Sequence, residues 1–194
     1  ASSWASGVNA YLCVLVLGLA DRFGEFDQIP DSLANTWVLT IAGVLYVVEF
    51  ITDKIPYVDS TWDSISTFIR PAVAAGIAAV IAGDLPTLEQ LAYVLLGGGT
   101  ALASHSVKAG SRLAINASPE PFTNVGASVG EDITVVGVVA LAIAYPWIAL
   151  GISLTLLVLG MVMLYFLLRV VRRGWRRWKG RTIDPTESVS PGLD

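Results

Sequence analysis

Apolar runs separated by short polar segments divide the chain. The first run, Val8 to Ala20, predicts a helix from about Trp4 to Arg22. The polar segment DRFGEFDQIPDSLANT follows, with Gly24 and Pro30 as breakers. The second run, Trp37 to Ile51, opens on a tryptophan suited to a membrane interface and closes in EFITDKIP. Ala72 to Ala82 is apolar but short, and a spanning helix needs about 20 residues. That third helix must therefore include Ser64 to Arg70, across the Arg70-Pro71 interruption, or be re-entrant. Gly83 to Pro86 reads as a turn, and Thr87 to Ala117 as a fourth helix containing Gly97, Gly98 and Gly99. SPEPFTNVGASVG reads as a loop. Glu131 to Tyr145 and Pro146 to Val171 complete the set.

The expected fold class is all-α: a polytopic membrane bundle of about six transmembrane helices, some short or broken. The two polar, proline-containing links DKIPYVDSTWDS and RLAINASPEPFTN hint at a weak internal repeat. The domain boundaries expected are 1–171 for the helical domain and 172–194 for a basic juxtamembrane segment with a polar tail.

Composition sharpens the membrane reading. The chain is 54% hydrophobic and 14% charged, with mean hydropathy +0.66, whereas a soluble domain carries about 25% charged residues. Disorder, collagen, coiled coil and a disulfide scaffold are excluded. The single cysteine, Cys13, has no partner for an internal disulfide and reads as a small core residue. Trp4 to Ala20 lacks both a basic leading region and a cleavage pattern, so it is expected to be a resident helix.

The net charge of −4 conceals an asymmetry: most of the basic residues lie between Arg169 and Arg181. Six spans would put both termini on one side, together with Lys54, Arg70, Lys108, Arg112 and the basic tail. Arg22 and the acids Asp21, Glu25, Asp27, Asp31 and Asp84 would lie opposite. The positive-inside bias then predicts cytoplasmic termini in a bacterial inner membrane. The segment WRRWKGR is expected to meet anionic membrane lipid rather than nucleic acid.

Three constellations could carry chemistry. Glu49 and Asp53 are spaced i, i+4, as are Asp59 and Asp63, with Lys54 and Arg70 nearby. Four carboxylates against two bases favour a bound divalent cation or shared protons, with interhelical pairing as the plainer reading. His105, Lys108, Arg112 and Asn116 form one helix stripe. With Arg70 they suit an anion such as a phosphate or lipid headgroup; pairing with the acids is the plainer reading. Glu131 and Asp132 open the fifth helix, where the macrodipole favours acids, and could add to ion coupling. Ser118, Glu120 and Asn124 supply further polar groups beside them, and Asn9 suits a bond to another helix. The glycine triplet fits close helix packing or an unwound backbone. No nucleotide loop, zincin, serine-hydrolase elbow or Cys/His zinc pattern occurs.

The runs GVNAYLCVLVLGLADRFG, EFITDKIPYVDSTWDSISTFIRP and SHSVKAGSRLAINASPEPFTNVGASVGED resemble DUF4126, a bacterial membrane-protein family defined by a domain of unknown function. DKIPYVDSTWD and SPEPFTN are the specific parts, and the resemblance covers about Gly7 to Val171. It implies a compact integral membrane protein and carries over no catalytic or ligand role.

The function expected is a small transporter or lipid-headgroup translocator with a polar cavity facing the cytoplasm. The alternatives are a membrane-embedded metal-dependent enzyme acting on a phosphorylated lipid and a structural or assembly subunit. No cofactor beyond a divalent cation is expected. A homodimer is plausible for so small a transporter.

Overall fold

Every regular element among the described residues is helical. The computed structural model describes residues 1–24, 26–55, 57–116 and 121–181, with the backbone alone for 121 and 177–181. In order come α1 (Ser2–Val8), α2 (Ala10–Gly24), a 3-10 turn (Asp31–Ala34), α3 (Thr36–Thr52), α4 (Val58–Ala82), α5 (Thr87–Asn116), α6 (Pro121–Ala144) and α7 (Pro146–Arg181).

The predicted first helix is two. Asn9 adopts an extended conformation (φ −148°, ψ 99°) between α1 and α2. The chain reverses there, because Cys13 Sγ reaches the Ser2 carbonyl at 3.5 Å. The asparagine itself stabilises the break: its Oδ1 accepts from Leu12 N at 3.0 Å, capping α2. Trp4 to Val8 of α1 are all buried, so this short helix plugs the interior of the bundle. Gly7 makes the fit possible. A Cβ at Gly7 would fall 1.8 Å from Ser104 Oγ and 2.2 Å from the Ala101 carbonyl of α5.

The remaining helices run alternately up and down. Asn35 caps α3 by accepting from Trp37 N at 2.9 Å. α4 passes through Pro71 without stopping, so the Arg70-Pro71 interruption is not a boundary and the third helix includes Ser64 to Arg70. Gly83, at φ +51°, makes the turn into α5 in a conformation that favours glycine. The glycine triplet stays helical: a Cβ at Gly97 would sit 2.7 Å from Ala78 Cβ and 3.1 Å from the Ala74 carbonyl. Gly97 and Gly98 permit close α4–α5 packing, whereas a Cβ at Gly99 would meet open space. On the other side of α5, Gly160 of α7 sits against Val107, and Gly110 against Leu164.

Two boundaries differ from the sequence expectation. α6 begins at Pro121, so 121–130 is helix rather than loop. Proline is well suited to a first helical turn, where its missing N–H costs nothing. α7 continues past Val171 to Arg181, so the basic juxtamembrane segment begins within a helix and not after it.

Among the described residues, three helices are long and apolar enough to cross a membrane: Val58–Ala82, Phe122–Ala144 and Pro146–Arg176. Thr36–Thr52 is apolar but shorter. The expected first span is absent because neither α1, with 7 residues, nor α2, with 15, approaches the roughly 20 needed to cross. Ala1 lines a cavity with Ile143, Pro146 and Trp147, at the start of α7, whereas Arg176 lies at the far end of the same helix.

Candidate functional site

Five elements converge on one buried polar network. α3 contributes Glu49 and, at its C-cap, Asp53; α4 contributes Asp59, Asp63 and Arg70. α5 contributes His105, Lys108, Arg112 and Asn116; α6 contributes Asn124, Glu131 and Asp132; the α1–α2 tip contributes Gly7 and Asn9. Arg70 and Glu49 are wholly buried.

Arg70 lies at the deep end. Its Nη2 donates to Glu49 Oε1 at 2.6 Å and pairs with Asp63 Oδ1 at 3.2 Å. Its Nη1 donates to the Gly7 carbonyl at 3.2 Å, satisfying the C-terminal end of α1, and to His105 Nδ1 at 2.7 Å. A guanidinium can only donate, so His105 Nδ1 is an acceptor. The imidazole proton then lies on Nε2, which reaches the Asp63 carbonyl at 3.1 Å and Thr67 Oγ1 at 3.0 Å. His105 is thus a neutral support for Arg70 and not a third cation on the α5 stripe.

Lys108 occupies the middle. Its Nζ donates to Asp53 Oδ2 at 2.7 Å and Glu49 Oε1 at 3.2 Å, and lies 3.6 Å from Glu131 Oε2. Arg112 follows one turn on. Its Nη2 donates to Glu131 Oε2 at 2.6 Å, and its Nη1 to the Asp53 carbonyl at 2.9 Å. Asn124 Nδ2 donates to Asn116 Oδ1 at 2.9 Å, and Asn116 Nδ2 to both oxygens of Asp59, at 2.8 and 2.9 Å. From His105 to Asn116 the path descends about 17 Å of helix, from mid-bundle to the end that carries Asp53 and the start of α4.

The acidic and basic groups therefore meet directly, with Asp53 and Arg112 in contact. Of the groups expected to receive an anion, Arg70, Lys108 and Arg112 are already held by carboxylates. Lys54 is not among them: its Nζ donates to the Phe50 carbonyl at 2.8 Å and lies over the Phe50 ring. Asp132 forms a neighbouring branch, accepting from Asn9 Nδ2 at 3.0 Å and Tyr46 OH at 3.1 Å. Ser118 and Glu120 lie outside the described residues.

The network is rich in acid. Arg70, Lys108 and Arg112 make ion pairs with Glu49, Asp53, Asp63 and Glu131, three bases against four acids. The imbalance leaves open valences: Glu49 Oε2, Asp53 Oδ1 and Asp63 Oδ2 are buried and accept no hydrogen bond. Ionised groups at membrane depth cost about 2.5–3.5 kcal/mol each on insertion scales. Uncompensated acid there calls for a proton or a cation. Among the described residues, no group of three or more His, Cys, Asp or Glu side chains is arranged to hold a metal ion.

Tyr46, Thr67 and the Gly7 carbonyl are members that sequence reasoning missed. Tyr46 was accessible in principle, since it precedes Glu49 by three residues and shares its helix face. The other two depend on tertiary packing.

Beside the network lies a cavity of about 360 Å³ between α1, α5, α6 and α7, with Lys108 and Glu131 in its lining. Glu131 is the most exposed ion-paired acid, its side chain 20% accessible.

A family model described as Domain of unknown function (DUF4126) matches residues 1–165, and the chain belongs to that family. No curated protein and no solved structure matches the chain.

Proposed function

We propose that this member of the family is a small cation- or proton-coupled transporter of the inner membrane. In this reading α3 to α7 cross the bilayer and the α1–α2 hairpin enters it from one side without crossing. The end bearing Asp53, Lys54 and the basic turns of α7 faces the cytoplasm, in keeping with the positive-inside bias.

The observation that carries the proposal is the buried charge imbalance at the tip of a broken helix. One added positive charge would neutralise the ion-paired set, and three carboxylate oxygens stand without partners to receive it. Half-helix ends at mid-membrane are typical of transporter sites. Here the C-terminal end of α1 meets Arg70. Glu49, Asp53, Asp63 and Glu131 are assigned to coupling, and Arg70, Lys108 and Arg112 hold them in register. The pairing of Arg70, Lys108 and Arg112 with acids, only Arg70 Nε being left without a partner, favours a cationic cargo over an anionic headgroup.

The test is a pH gradient imposed on proteoliposomes and followed with a fluorescent amine. Sodium, potassium, magnesium, calcium and tetraphenylphosphonium are added in turn. At least one cation should dissipate the gradient in wild type and fail to do so in Asp63→Asn. Failure of all five, with correctly folded protein in the bilayer, would return the network to a purely structural role.

A further inference from the structure

We infer that the cavity between α1, α5, α6 and α7 is a binding site for a lipophilic organic monocation, with Glu131 as its counter-ion. This deepens the transport reading by naming a cargo class, and it rests on that reading for its purpose.

The cavity has two chemically distinct parts. Trp4 and Val8 of α1 and Leu156 and Leu157 of α7 give it apolar walls. Lys108 and Glu131 give it a charged floor. About 360 Å³ is within the range of small-molecule sites. Such walls gain from covering apolar surface, and an ammonium or phosphonium is attracted to an indole face as well as to a carboxylate.

The sign of the charge follows from the floor. Lys108 already serves three carboxylates, at 2.7, 3.2 and 3.6 Å, so it has little to offer an anion. Glu131 shares its oxygens with Arg112 and Lys108 yet keeps an open side. Behind Lys108, the fully buried Glu49 leaves Oε2 without a partner, and Asp53 leaves Oδ1 so. The local set is one positive charge short of neutrality. A monocation at Glu131 would supply that charge without rearranging the pairs behind it, while its apolar substituents filled the cavity.

The experiment measures binding to the detergent-purified chain by equilibrium dialysis, with empty micelles subtracted. The probes are tetraphenylphosphonium and tetraphenylborate, alike in shape and opposite in charge. Saturable binding of the cation, at least tenfold tighter than the borate, is expected. Glu131→Gln should weaken cation binding at least tenfold. Leu157→Phe, which fills the cavity without touching the ion pairs, should also weaken it, and Glu89→Gln on the exposed start of α5 should not. Equal binding of the two ions, or cation binding indifferent to both Glu131→Gln and Leu157→Phe, would overturn the site. If an inorganic cation dissipates the pH gradient while tetraphenylphosphonium does not bind, this inference fails and the transport reading stands. If tetraphenylphosphonium binds as expected but no cation dissipates the gradient, the site stands and the transport reading fails.

Discussion

Arg70 Nη1 donates to His105 Nδ1 at 2.7 Å, which fixes the tautomer of the only histidine in the chain. At neutral pH the ring should carry one proton, on Nε2. Nitrogen NMR of the ¹⁵N-histidine-labelled protein checks this directly, and a protonated Nδ1 would contradict the geometry. His105→Leu removes an acceptor from a buried guanidinium and should cost about 1–3 kcal/mol of stability.

Arg112 is the residue whose loss should be felt most widely. It bridges Glu131, Asp53 and the backbone at Asn124, and removing one member of a buried pair typically costs about 3–5 kcal/mol. Arg112→Ala should lower the unfolding temperature in detergent markedly. Arg112→Lys should recover only part of the loss, because a single ammonium cannot reproduce the planar fork. Full rescue by lysine would mean that charge alone matters at this position.

Gly7→Ala tests the plug. The new Cβ would collide with Ser104 Oγ and with the Ala101 carbonyl. Overpacking of this kind costs about 1–3 kcal/mol or more. Adding Ser104→Ala should not restore stability, since the backbone obstacle remains. A Gly7→Ala protein with wild-type thermal stability would show that α1 does not hold this position.

Topology can be read with a Cys13→Ala background and single cysteines labelled by an impermeant maleimide. Cysteines at Ser3, Gln28 and Asp84 should label from one side, if they label at all, and one at Arg172 from the other. Labelling of Ser3→Cys together with Arg172→Cys would restore a first helix that crosses the membrane.

The stripe His105, Lys108, Arg112, Asn116 could be read from spacing alone because a continuous helix presents every fourth residue on one face. The i, i+4 acid pairs were legible for the same reason. The break at Asn9 was not. Apolar residues surround it, no proline marks it, and its side-chain amide donates to Asp132, which lies 123 positions away. Pro121 misled in the opposite direction, since proline opens helices as readily as it ends them. The pairing of each base depended on packing too. Lys54 is nearer in sequence to the acids of α3, yet Lys108 from α5 holds them.

The α1–α2 hairpin also bears on how the protein is made. It is translated before α4 and α6, on which Gly7 and Asn9 find their partners. Until those helices have been synthesised, the Gly7 carbonyl and the Asn9 amide have no such partners in the nascent chain, and entry into hydrocarbon would leave them unsatisfied. The hairpin is therefore expected to dock only after α4 and α6 have been made. A segment translated before its partners would then be among the last to take its place in the bundle.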